Sequence, residues 1–149
     1  MKKIVLFFPL VILLVFTSAC NSQDSNASSV DQVNTVMVKG EGLNVFKDVD
    51  ARLFKQLISK GDVVLIDVRT PGEYAQGHLK NSKLINFMDK NFETQIAQLD
   101  KGATTLVYCH SGRRSAGAMK KMKSAGFTEV YNLVGGIGAW AAAGGEMVK

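Results

Sequence analysis

From residue 44 onward, short apolar segments alternate with segments that have helical periodicity. Val63–Asp67 (VVLID) and Thr104–Tyr108 (TTLVY) are mostly apolar and rich in β-branched residues, which is typical of strands covered on both faces. The segments 83–86 (KLIN) and Glu129–Leu133 (EVYNL) are predicted to be strands as well. The pattern therefore predicts four strands spread over this part of the chain.

The segments between these strands carry apolar residues at the spacing of helix faces. A helix is predicted within 50–60, with Asp50 as its cap and Gly61 as its end signal. Its inward residues are expected to be Leu53, Phe54, Leu57 and Ile58. Further helices are predicted at 93–99, 115–125 and 137–142, and the inward residues of the second are expected to be Ala116, Met119 and Met122.

This alternation predicts the fold class and the position of a site. Strands that alternate with helices imply an α/β fold, a mostly parallel sheet between layers of helices. Ligands of such sheets bind at the carboxyl ends of the strands. Asp67 and Cys109 come at the ends of the two clearest strands, so both are expected on the same rim of the sheet.

The segment 1–19 has the pattern of an export signal. Lys2 and Lys3 precede thirteen apolar residues, IVLFFPLVILLVF, and this run is too short to cross a bilayer, which takes about 20 residues. We interpret 1–19 as a signal peptide and expect an exported protein, in the periplasm or on the cell surface.

The residues around Cys20 decide how the exported chain would be held. The stretch TSAC resembles a bacterial lipoprotein signal, although Thr17 stands where that motif usually has leucine. The resemblance implies that Cys20 is lipidated and attaches the chain to a membrane. Cleavage by an ordinary signal peptidase, with a soluble product, is the alternative. The residues that follow are almost all small and polar, so 20–43 is predicted to be the anchor cysteine with a flexible linker.

Cys109 is the only other cysteine of the chain. With Cys20 lipidated, it has no partner for an intramolecular disulfide. The next residues run through a glycine turn to Arg113 and Arg114 at a helix start, where cations are unfavourable unless an anion lies beside them. A helix N-terminus and adjacent arginines lower the pKa of a thiol, so we expect Cys109 to be a nucleophilic thiolate. A buried structural cysteine is the alternative.

Three separated motifs give the chain a resemblance to the rhodanese domain, the sulfurtransferase family whose cysteine carries a persulfide. They are LIDVRTPGEYAQGHL (65–79), YCHSGRRS (108–115) and LVGGIGAW (133–140). The resemblance covers 44–149 and implies a rhodanese-like α/β fold with a central five-stranded parallel sheet and helices on both faces. It also implies that Cys109 is catalytic and that the amide-lined loop 109–114 binds the substrate. The substrate-binding residues implied by it are His110, Ser111, Gly112, Arg113 and Arg114, and the supporting residues are Asp67, Arg69 and Ser115.

Cysteine phosphatases are the main catalytic rival. Some share this fold, but they place five residues between cysteine and arginine, whereas four lie between Cys109 and Arg114. By the resemblance, the tighter arc favours sulfur over phosphate. The chain departs from the family at 80–82, where KNS replaces the usual proline-glycine-alanine, so the shape of the pocket at that turn is not predicted.

The remaining polar residues are given supporting roles. Asp67 and Arg69 are expected to pair at the rim, His110 to face solvent, and His78 to be a hydrogen-bonded support. Gly135, Gly136 and Trp140 suit a turn into the last helix with an aromatic anchor in the core. With two histidines and one free thiol in the mature chain, no metal or other cofactor is expected.

Net charge excludes one class of partner. It is +5 for the whole chain and +3 once Lys2 and Lys3 are removed, too little to argue for nucleic acid. The expected partners are a small sulfur-containing anion, a thiol or protein acceptor, and a membrane through the lipid anchor.

Two functions follow from this pattern. The first is an exported sulfurtransferase that accepts sulfane sulfur from thiosulfate, polysulfide or a protein persulfide on Cys109 and passes it to a thiophilic acceptor. The second is a sulfur carrier or redox-sensing binding module without turnover, which an accessible thiolate of low pKa would serve equally well.

Overall fold

Five strands and five helices follow one another along residues 44–149, the part of the chain that the computed structural model describes. The predicted signal peptide (1–19), Cys20 and the linker (20–43) lie outside these residues. In chain order the elements are β1 (Val45–Val49), α1 (Ala51–Ser59), β2 (Val63–Asp67), α2 (Pro71–Ala75), β3 (Lys83–Leu84), α3 (Phe92–Ala97), β4 (Thr104–Tyr108), α4 (Arg113–Ser124), β5 (Glu129–Leu133) and α5 (Gly136–Ala142).

The strands form one sheet in the order β1-β5-β4-β2-β3, and every neighbouring pair is parallel. This confirms the predicted α/β fold with a five-stranded parallel sheet. Successive strand residues point to opposite faces. Leu65 and Leu106 accordingly join the core that contains Phe54 and Trp140, while Ile66 and Val107 join residues of α3 and α4 in a second core.

Two elements were not predicted. The strand β1 (VFKDV) has exposed Lys47 and Asp48 in its middle. Among residues 44–149 it lies at the edge of the sheet, where it pairs with β5 alone. An edge strand need not be apolar on both faces, so its pattern is weak. Pro71 and Gly72 at the start of α2 suggest a loop, whereas the structure places Pro71 in the first turn of the helix, where proline fits.

The inward faces of two helices differ from the prediction. Leu53 is 39% exposed, because the buried face of α1 is set by Ala51, Phe54 and Leu57 at three-residue spacing. In α4 the fully buried residues are Ser115, Ala118 and Met122, whereas Ala116 and Met119 are only partly buried. The strand predicted at 83–86 is also shorter, because only Lys83 and Leu84 pair with β2.

Within residues 44–149, no helix combines the length and the apolar character that a membrane span requires.

Candidate active site

The connection between β4 and α4 holds Cys109 at the carboxyl end of the sheet. Cys109 follows β4 directly, and α4 begins at Arg113 after the turn His110, Ser111 and Gly112. Arg113 and Arg114 therefore stand in the first turn of α4, not in a loop that continues through Arg114 as predicted. The turn is short because Gly112 adopts a left-handed conformation, with φ of +89°.

Gly112 brings its backbone N–H to the sulfur. This N–H donates to Cys109 Sγ over 3.1 Å. A Cβ added here would lie 3.0 Å from the Leu133 carbonyl oxygen and 3.1 Å from the Gly135 nitrogen. Glycine is thus required at this position by both its positive φ and its close packing against the β5–α5 connection.

Cys109 is a free thiol and is 1% exposed. Burial raises the pKa of this thiol, but hydrogen bonds from the Ser115 hydroxyl and from the backbone N–H groups of Ser115, Ser111 and Gly112 lower it further than burial raises it. Ser115 is fully buried, and its Oγ lies 3.4 Å from Sγ. The net pKa lies below its ordinary value, because a thiolate gains more from these donors than a neutral thiol does.

The loop rests on the turn that opens α5. The Ile137 N–H donates to the Cys109 carbonyl over 2.8 Å. Gly136 has φ of +57°, and a Cβ there would collide with the Cys109 carbonyl oxygen. The predicted turn at Gly135 and Gly136 is present, and Trp140 is 6% exposed in the core. The start of α5 therefore fixes the position of the Cys109 backbone.

Asn132 ties the loop to β5 and was missed by the sequence analysis. Its Nδ2 donates to Asp48 Oδ1 over 2.7 Å and, more weakly, to the Gly112 carbonyl over 3.4 Å. Asn132 is 2% exposed. A buried polar residue near the end of a strand, in EVYNL, was the available signal.

Glu73 is the second residue that was missed. Arg114 Nη1 and Nη2 donate to the two oxygens of this carboxylate over 2.7 and 2.6 Å. The Arg114 guanidinium is the main reason that the pKa of Glu73 lies far below its ordinary value, burial opposing it. Thr70 and Glu73 also form a capping box at the start of α2, and the spacing T-x-x-E was the signal for it. That the box would reach across to Arg114 could not be read from the sequence.

Asp67 and Arg69 form the predicted ion pair. Arg69 Nη2 donates to Asp67 Oδ2 over 2.7 Å and to the Gly77 carbonyl over 2.8 Å, and both side chains are buried. The guanidinium lies over the Tyr108 ring, 5.7 Å from its centroid. Because the pair lies at the end of β2, it fixes the rim of the sheet beside the β4–α4 connection.

A family model described as Rhodanese-like domain matches residues 50–143, more than half of the chain. The chain belongs to the rhodanese-like family. A protein named Thiosulfate sulfurtransferase GlpE, from Pseudoalteromonas translucida, is 33% identical over 111 residues that cover 70% of this chain and 97% of that protein. A protein named Sulfurtransferase, from Allochromatium vinosum, is 35% identical over 89 residues that cover 60% of this chain and 81% of that protein.

The solved structures agree with this assignment. The rhodanese-like domain of the Anabaena sp. Alr3790 protein superposes with a TM-score of 0.62 at 26% identity, covering 68% of this chain and 77% of that one. In some longer relatives the match spans only part of the protein, 54% of one and 20% of another. The rhodanese-like domain thus occurs both nearly alone and within larger chains.

The other residues given a role from the sequence lie either at the surface of this rhodanese-like domain or in hydrogen-bonded positions that support its fold. His110, Ser111 and Arg113 are exposed, which agrees with the solvent-facing position expected for His110. His78 Nδ1 lies 3.2 Å from the Tyr74 carbonyl oxygen, and its ring stacks on that of Tyr74 at 3.7 Å, as expected of a hydrogen-bonded support. Within residues 44–149, no three His, Cys, Asp or Glu side chains are grouped so that they could hold a metal ion.

Proposed function

We propose that this protein is a sulfurtransferase that accepts sulfane sulfur on Cys109 as a persulfide and passes it to a thiophilic acceptor. The observation that carries the proposal is the environment of the sulfur. Cys109 is the only cysteine among residues 44–149, and three backbone N–H groups and one buried hydroxyl lower its pKa. Membership of the rhodanese-like family and the names of its relatives support the same reaction class.

The chemistry balances without a cofactor. The Cys109 thiolate attacks the outer sulfur of a donor, forms a new S–S bond, and the donor's S–S bond breaks with its electron pair leaving on sulfite or on a thiolate. The persulfide keeps one negative charge, which the same N–H groups are placed to stabilise. In the second half, an acceptor such as cyanide or a thiolate attacks the outer sulfur, and Cys109 leaves as the thiolate that began the cycle.

The direct test is persulfide formation on the full chain carrying Cys20→Ser, in which Cys109 is the only thiol. Incubation with polysulfide or thiosulfate should add one sulfur atom by intact mass, and addition of cyanide should remove it as thiocyanate. The same chain with Cys109→Ser should show neither. If several sulfane donors leave the mass of the Cys109 protein unchanged, the proposal is wrong.

A carrier or redox sensor without turnover is the alternative function. It is favoured by the 1% exposure of Cys109, which limits access to the sulfur. The two functions differ in kinetics: an enzyme forms many equivalents of thiocyanate per Cys109, whereas a carrier stops after one equivalent. Counting product against protein concentration separates them.

We propose further that the protein is exported and attached to a membrane through lipid on Cys20. The supporting observations are the apolar run after Lys2 and Lys3 and the small residues before Cys20. A labelled fatty acid fed to expressing bacteria should be incorporated into the unsubstituted chain but not into Cys20→Ser. Cleavage without incorporation of label would instead support the soluble exported product.

A further inference from the structure

The pairing of Arg114 bears on which donors the site accepts. Arg114 lies in the first turn of α4, after the Cys109 loop, and is one of the two arginines expected to bind an anion there. In the structure, both of its terminal nitrogens donate to Glu73. An oxyanion that binds the end of a guanidinium does so through the same two terminal nitrogens. That end of the guanidinium is therefore already occupied by a carboxylate of the chain.

Thr70 also holds the Glu73 carboxylate in place. The Thr70 N–H and Oγ1 donate to Glu73 Oε2 over 3.0 and 2.8 Å. The carboxylate is thus fixed by α2 on one side and by Arg114 on the other. An incoming anion that bound the same end of Arg114 would displace Glu73. The ionised Glu73 carboxylate would then lose its main hydrogen-bond partner, which is unfavourable.

The charges around the sulfur nearly cancel. Arg69 is paired with Asp67 and Arg114 with Glu73, and Arg113 makes no ion pair with any residue of 44–149. Arg114 is the arginine that also interacts with Cys109, and Glu73 offsets its charge. Because the positive and negative charges near Cys109 nearly cancel, a dianion gains little attraction there. The thiolate and Glu73 both repel a dianion more strongly than they repel a donor with one negative charge.

We infer that Glu73 is a specificity-determining residue that disfavours dianionic oxyanion donors such as thiosulfate and leaves the persulfide of a thiol as the preferred sulfur donor. This inference rests on the proposed sulfurtransferase function and narrows it. In the favoured reaction, the Cys109 thiolate attacks the outer sulfur of R–S–SH, the S–S bond of the donor breaks, and R–S⁻ leaves. Cys109 then carries an S–SH group, which loses its proton to solvent and becomes the anionic persulfide, so atoms and charge balance.

The experiment compares two donors on the full chain with Cys20→Ser. Thiosulfate carries two negative charges and cysteine persulfide a net single charge, and cyanide serves as the acceptor for both. The unsubstituted site should have the higher kcat/KM with cysteine persulfide. Glu73→Gln should raise kcat/KM for thiosulfate by about tenfold and change that for cysteine persulfide much less. The gain should shrink as ionic strength rises, because exposed charges are screened.

Two further variants separate charge from position. Glu93→Gln removes the ion pair between Glu93 and Lys121, which joins α3 to the far end of α4. It makes the same change of net charge away from Cys109 and should leave both donors unaffected. Glu73→Asp keeps the charge but shortens the side chain. It should stay poor with thiosulfate if charge excludes the dianion, and should behave like Glu73→Gln if Glu73 only positions Arg114.

A measurement without turnover provides a second readout. Inorganic sulfate should protect Cys109 from alkylation by iodoacetamide in Glu73→Gln at concentrations that give no protection in the unsubstituted chain. The inference is overturned if Glu73→Gln gains neither thiosulfate activity nor sulfate protection, or if Glu93→Gln or Glu73→Asp gains as much. Failure of the unsubstituted protein to form a persulfide with either donor is a different result, because it refutes the proposed function itself.

Discussion

Two carboxylate–arginine pairs lie near the catalytic loop, and they differ in almost every respect except their chemistry. Asp67 and Arg69 are two residues apart on one strand end, with side chains 0% and 5% exposed. Glu73 and Arg114 are 41 residues apart, with side chains 30% and 25% exposed. The buried pair is shielded from solvent, and Arg69 also donates to the Gly77 carbonyl, so its role is structural. The accessible pair can meet a ligand, so it is the one suited to influence which ligand binds.

The largest expected effect comes from breaking the buried pair. Arg69→Ala leaves the Asp67 carboxylate buried without its cation and should lower the free energy of unfolding by about 3–5 kcal/mol. Urea denaturation of the full chain with Cys20→Ser measures it. Arg113→Ala removes an exposed arginine from the same rim and should cost within about 0.5 kcal/mol. Equal losses for the two variants would contradict the structural role of the Asp67–Arg69 pair.

The next largest effect concerns the hydrogen-bond donors that set the reactivity of the Cys109 sulfur. If the Ser115 hydroxyl helps to lower the pKa of Cys109, Ser115→Ala should raise that pKa and slow alkylation of Cys109 by iodoacetamide at pH 7 about tenfold. Ser111→Ala is the matched control, because Ser111 contributes its backbone N–H and alanine keeps that group. A slower Ser111→Ala with an unchanged Ser115→Ala would reverse the assignment.

The helix N-terminus and the arginines were expected to lower this pKa. In the structure, N–H groups at the start of α4, those of Gly112 and Ser115, lower it, Arg114 also interacts with Cys109, and the Ser115 hydroxyl is the contribution that was not expected. The strand ends were predictable, because VVLID and TTLVY are short and apolar and both ends fall on one rim. The Asp67–Arg69 pair was predictable because its members are two residues apart. The Glu73–Arg114 pair was not, because local spacing shows that Thr70 and Glu73 form a cap but not what else Glu73 contacts.

Breaking the accessible pair should barely change stability. Glu73→Gln should lower the free energy of unfolding by at most about 1 kcal/mol, since partly exposed ion pairs contribute little. The change should be present at neutral pH and vanish in acid. Because the folded-state pKa of Glu73 is depressed, its contribution is fully present above the pKa of the unfolded chain and is lost as pH falls through the folded-state value. A loss as large as that of Arg69→Ala would erase the contrast between the two pairs.

The smallest effect is the pH dependence that Cys109 itself confers. Its pKa is lowered from the ordinary value of 9.0, so the stability that it contributes is fully present above pH 9.0 and is lost as pH falls through the folded-state pKa. Between neutral pH and pH 9.0, the stability of the Cys109 chain should therefore rise relative to that of Cys109→Ser. Parallel curves for the two chains would contradict a lowered pKa.

The measurement that tests the central claim most directly is titration of the Cys109 thiolate in the full chain with Cys20→Ser, followed by its ultraviolet absorbance or its rate of alkylation. The amide-lined loop should give a midpoint below that of the same thiol in the urea-unfolded chain. A folded-state midpoint at or above the unfolded one would show that burial outweighs the N–H donors, and Cys109 would then be a structural cysteine.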